Sequence, residues 1–158
     1  MKDELEWDLK YNKYYKSPRL TPDGLRQYPN LLERAIKSGN DISFSNNLRP
    51  YFRTTVFYTK KGRQYERKIP NDAYLVLGQG QFNIYYIRAI CQFALSQGIK
   101  DVEVYRGRQS RNPRKSSQML IGERVDAKEL LNELRNLNEF GSKKFQIGYP
   151  NSGLSVKV

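Results

Sequence analysis

Histidine is missing from all 158 residues. Without an imidazole there is no Ser-His-Asp triad, no His-ligated metal nuclease and no His general base. Cysteine occurs once, as Cys91, which excludes an internal disulfide and a Cys-rich zinc site and fits a reducing, cytoplasmic compartment. No apolar run approaches the roughly 20 residues of a membrane span, so no membrane partner is expected. The opening MKDELEWD is acidic and lacks an apolar stretch, so no secretory signal is expected there. Acid is scarce as well. Sixteen Asp and Glu stand against twenty-eight Lys and Arg, a net charge of +12.

What is present belongs to a folded chain. Aromatic residues make up 13%, with twelve Tyr and seven Phe. The length fits one domain spanning residues 1–158, with 1–29 as an N-terminal arm or helix. A coding sequence rich in A and T would raise Lys, Asn and Tyr together and make the basicity incidental. Arg, however, equals Lys at fourteen each, and the charges are segregated. Residues 1–8 carry −3 and 123–139 carry −2, whereas 9–122 hold twenty-one bases against seven acids. Such segregation describes a surface for a polyanion better than a compositional drift.

The pattern predicts an α+β fold. Leu5 and Leu9 lie four apart in a helix over 3–15, and SPRLTPDG breaks the chain after it. Asn30 caps LLERAIKSG, and Ile42–Phe44 reads as a strand. YFRTTVFYT and RQYERKI, joined by KKG, predict a β-hairpin over 51–69. AYLVL (73–77) reads as a covered strand, residues 83–97 as a helix and IKDVEVY (99–105) as a second strand. Together they predict a parallel βαβ crossover. MLIGERV (119–125) reads as a strand, and Asp126 with Glu129 predicts a capped helix over 126–136. The tail FQIGYPNSGLSVKV reads as two strands about PNSG. The architecture expected is a mixed sheet, holding the basic hairpin and the βαβ unit, with two main helices packed on it.

Two segments carry candidate phosphate contacts. In the hairpin these are Arg53, Lys60, Lys61, Arg63 and Arg67, interleaved with Tyr51, Phe52, Phe57, Tyr58 and Tyr65. Guanidinium and ammonium groups meet phosphates while bases stack on rings. Phe52, Val56 and Tyr58 are expected to be core instead. The second segment, RGRQSRNPRKSSQ (106–118), is expected to be a loop with Arg106, Arg108, Arg111, Arg114 and Lys115 and no acid. A solvated loop without a partner is the competing explanation. Gly78-Gln79-Gly80 before a helix invites comparison with phosphate-cradling turns. Neither GxGxxG nor GxxxxGK[ST] is completed, and a tight turn suffices.

Among the carboxylates, Asp41, Glu66 and Lys68 are spaced as Asp…Glu-x-Lys. This resembles the signature of metal-dependent restriction-type nucleases, which implies two carboxylates on Mg²⁺ and a Lys assisting the attacking water. In such nucleases a helix follows the Glu-x-Lys strand more directly than here, where AYLVL intervenes. Asp101 and Glu103, two apart in a strand, form a second candidate metal pair. Salt bridges to neighbouring Arg compete with both. The function expected is therefore binding of DNA or RNA through phosphate contacts, without catalysis or cofactor. The alternatives are a Mg²⁺-dependent nuclease, or an assembly or inhibitor protein, such as a virion component, acting through protein contacts.

Overall fold

A computed structural model describes residues 1–109, 113–136, 141–149 and 152–158. The chain is α+β. Its described elements are α1 (Lys2–Tyr11), α2 (Pro22–Ser38), α3 (Asp41–Leu48), a 3₁₀ turn (Arg49–Tyr51), β1 (Thr55–Lys60), β2 (Arg63–Lys68), α4 (Ala73–Ser96), β3 (Asp101–Arg106), α5 (Lys115–Met119), β4 (Arg124–Asp126), α6 (Ala127–Arg135) and β5 (Leu154–Lys157). They form two compact units, Lys16–Gln79 and Met1–Tyr15 with Gly80–Val158. No helix among the described residues is long and apolar enough to cross a membrane.

In the unit Lys16–Gln79, Thr21 caps α2 by accepting from the Gly24 amide at 3.1 Å, and Pro22 takes the first helical position. Asn40 and Ser43 form a reciprocal capping box on α3. Tyr28 and Phe44, both fully buried, meet edge to face with ring centroids 5.5 Å apart. Gly78 is glycine for space: a Cβ there would lie 2.6 Å from Ser45 Cα.

In the other unit, the C-terminal part of α4 and the apolar face of α6 bury Ile87, Cys91, Leu130 and Leu134 with Val102, Val104, Leu154 and Val156 of a three-stranded sheet. The strand order is β4-β3-β5, antiparallel throughout. Asp126 caps α6 by accepting from the Glu129 amide at 2.8 Å, as its sequence predicted. Burial pushes the Cys91 thiol up to about 12, with the negative charges of Glu4 and Asp126 adding to the effect, so it is not a nucleophile.

Several expectations are corrected. AYLVL is the first turns of α4, not a strand. A five-residue apolar run suits a buried helix as well as a buried strand. Ala73, Leu77, Ile84, Ile87, Cys91 and Ala94 continue one helical spacing through Gly78 and Gly80. Every described strand pairing is antiparallel, so the βαβ unit and the mixed sheet give way to a separate hairpin and a three-stranded sheet. Ile42–Phe44 is helical, because Asn40 and Ser43 cap a helix start. The strand expected at 119–125 is reduced to β4, and of the two tail strands only β5 forms among the described residues.

Candidate nucleic-acid interface

The hairpin is built as its sequence predicted, with Lys61 and Gly62 turning the chain at φ 50° and 74°. Two consecutive positive φ values give a two-residue turn whose hand matches the twist of the strands. The base is pinned to its own unit. Arg53 N donates to Arg19 O and Arg53 Nε to Leu20 O, both at 2.9 Å, while Ile69 N donates to Thr54 O at 2.9 Å. Past that base the ribbon covers no core among the described residues of its unit. All of β2 and the distal half of β1 are exposed. A lone two-stranded ribbon is marginally stable in water, so the turn and the anchored base must hold this one.

Register sorts the side chains into two unlike faces, because directly opposed residues project to the same side. One face carries the pairs Thr55–Lys68, Phe57–Glu66 and Thr59–Gln64. The other carries Val56–Arg67, Tyr58–Tyr65 and Lys60–Arg63. On that second face the two tyrosine rings stack, centroids 5.6 Å apart and 23° from parallel, with exposures of 46% and 42%. Cations flank the rings at both ends, and no acid shares the face. Tyr58, expected in the core, is thus a surface residue, since nothing among the described residues of its unit buries it.

Lys60, Lys61, Arg63, Arg67 and Lys68 are not within ion-pair distance of any carboxylate among the described residues. Many acids are held elsewhere: Glu33 by Lys37, Asp23 by Arg26, Glu129 by Lys144 and Glu103 by Lys157.

The cations of 106–118 are less alike than the sequence implied. Arg106 belongs to β3, opposite Leu154, and its Nη1 donates to Ser152 O at 3.1 Å. Arg108 is half-buried, and its amide bonds Gly153 O at 3.1 Å. Arg114 and Lys115 are exposed at the start of α5, so the segment is not all loop. Arg111 lies outside the described residues. The strand before the segment is antiparallel to both neighbours, which removes the comparison with ligand sites beyond parallel strands. This second basic segment is in a different unit from the hairpin.

Of the carboxylate candidates, Asp41 opens α3 and accepts from the Ile42 amide at 3.0 Å. Glu66 and Lys68 share one exposed face of β2, opposite Phe57 and Thr55. Glu103 is 3.1 Å from Lys157 Nζ, and Asp101 lies opposite Asp126. Among the described residues no three His, Cys, Asp or Glu side chains are grouped to hold a metal ion. The glycine pair 78 and 80 lies inside α4, so it makes no phosphate-binding turn.

A buried ionic cluster escaped the sequence altogether. Arg88 Nε donates to Glu4 Oε2 at 2.8 Å, and its Nη1 and Nη2 reach the two oxygens of Asp8 at 2.7 and 2.9 Å. Arg135 forks onto Glu4 at 2.6 and 3.0 Å, and Gln92 and Tyr85 complete the set. Arg88, Glu4 and Asp8 are each at most 2% exposed. Burial acts to raise the Glu4 pKa most strongly of any single influence. The Arg135 hydrogen bond, the charge of Arg88 and the bonds from Gln92 and Arg88 together outweigh it and leave the carboxyl below its ordinary value. The acidic N-terminal segment therefore neutralises two internal arginines. The available signals were the acidic segment 1–8 and a single Arg in the mostly apolar stretch IYYIRAICQFAL.

Against known proteins, the chain matches no family model, no curated protein and no solved structure.

Proposed function

We propose that this chain is a non-catalytic nucleic-acid-binding protein and that its hairpin holds a strand with unpaired bases. The observation that carries this is the face formed by Val56–Arg67, Tyr58–Tyr65 and Lys60–Arg63, with stacked rings between two tiers of unneutralised cations. Bases lie against the tyrosines, and the flanking Lys and Arg meet the phosphates. A base paired within a duplex offers its faces only to its neighbours, so exposed stacked rings favour a single strand or a loop. Arg114 and Lys115 supply a second, separate phosphate contact. The single buried thiol fits the cytoplasmic setting.

Fluorescence anisotropy with labelled single-stranded and duplex oligonucleotides tests the proposal, run over a salt gradient with and without Mg²⁺. Single strands should bind more tightly than duplex, and affinity should fall by orders of magnitude over a few-fold rise in salt. Salt-insensitive binding contradicts it. Mg²⁺-dependent shortening of the oligonucleotide that is lost in Glu66→Ala would instead identify a nuclease. An acidic protein that stays bound after nuclease treatment would identify an assembly factor.

A further inference from the structure

Beside the base of the hairpin, within the unit Lys16–Gln79, lies an open groove of about 470 Å³. Three cations line it, Arg49, Arg53 and Lys68, together with Phe52, Ile69 and Tyr74, and no carboxylate is among its lining residues. The volume lies in the range of small-ligand sites, where apolar walls and a few placed polar groups are the rule. Arg53 is pre-positioned by its Nε bond to Leu20 O, which leaves its terminal nitrogens to a ligand. The Arg49 guanidinium lies 5.1 Å from the centre of the Tyr74 ring, so it too is held in place. Tyr74 sits in the first turn of the 24-residue helix α4, whose N-terminal end carries partial positive charge. Three cations and a helix start around an uncharged wall make a site for an anion attached to a flat, apolar group.

We infer that this groove is a nucleotide-binding site, with Arg49, Arg53 and Lys68 on the phosphate and the wall of Phe52 and Ile69 against the base. The choice of a nucleotide among phosphate esters rests on the interface proposed above. In that setting the groove receives one phosphorylated unit of the strand, such as its 5′ end, while the distal rings hold others. The groove is distinct from the tyrosine face, because Lys68 projects to the opposite side of the ribbon from Tyr58 and Tyr65.

The test is a titration of the whole protein with adenosine 5′-monophosphate, adenosine and glucose 6-phosphate, followed by NMR chemical shifts. Wild type is compared with the double variant Arg49→Ala, Lys68→Ala. Both side chains are exposed, so the fold should persist, and circular dichroism checks it. The double variant Lys100→Ala, Lys128→Ala, two exposed cations of the other unit, is the control for net charge. The nucleotide should bind about tenfold or more tightly than adenosine and than the sugar phosphate. It should lose about tenfold or more in the double variant and nothing in the control. Equal binding of the three ligands, or an undiminished nucleotide affinity in the double variant, overturns the inference. If oligonucleotides bind through the tyrosine face while the monophosphate does not bind, the groove fails and the interface stands. If the monophosphate binds here while oligonucleotides fail to bind, the groove stands and the interface fails.

Discussion

Tyr58 and Tyr65 face one another across the hairpin with ring centroids 5.6 Å apart, and both residues remain exposed to solvent. Such a pair stabilises the ribbon by on the order of 0.2–1 kcal/mol. That is a small stabilisation for two exposed rings, and the proposed stacking of a base on them would give them a second use.

Removing either ring should weaken single-strand binding by ~1–3 kcal/mol, about 5- to 150-fold, while the rest of the fold is retained. Anisotropy titrations of Tyr58→Ala and Tyr65→Ala, with circular dichroism alongside, measure both quantities. Phe57→Ala, on the opposite face beside Glu66, should cost much less.

Lys60→Ala and Arg63→Ala should weaken binding to similar degrees across unrelated sequences. Each removed phosphate contact should flatten the slope of log affinity against log salt by about 0.7 for a single strand. Parallel salt series on wild type and the two variants read this directly.

Arg88→Met should destabilise the protein by about 3–5 kcal/mol, because Asp8 would be left buried without its main partner and Glu4 would lose one of its two arginines. Arg135→Met should cost less. That side chain is 17% exposed, and Glu4 would keep Arg88. Urea denaturation of the two variants ranks them.

Acid should destabilise the chain through the same cluster. In the unfolded chain Glu4 takes up its proton near pH ~4.3. In the folded chain it does so at lower pH, because its arginine contacts outweigh the effect of burial. As pH falls, the unfolded chain therefore binds the proton first. The stabilisation is complete above about pH 4.3 and drains away as pH drops through the folded value. Thermal melts across that range should show the decline, and Glu4→Gln should lower stability at neutral pH and flatten the dependence.

The hairpin was legible because its signals are local: a Lys-Gly turn, β-branched and aromatic residues, and register fixed by the turn. The cap Asp126 and helix α6 were legible for the same reason. AYLVL was not, since five apolar residues carry no period. What settles the matter is the continuation of one buried stripe from Ala73 to Ala94 through two glycines. Nor does local pattern reveal that Glu4 meets Arg88, which is 84 residues away along the chain. At the candidate site, Lys60, Lys61 and Arg63 stand at the tip as expected from sequence, whereas Arg53, expected beside them, lies at the base. Tyr58 was assigned to a core because alternation tells which residues share a face but not whether anything covers it.

Photo-crosslinking is the most direct test of the central claim. The protein is irradiated with a thymidine-rich single strand, and the adducts are located by mass spectrometry. Adducts are expected on Tyr58 or Tyr65 and should disappear at high salt. Adducts confined to other residues, with both tyrosines unmodified, would contradict it.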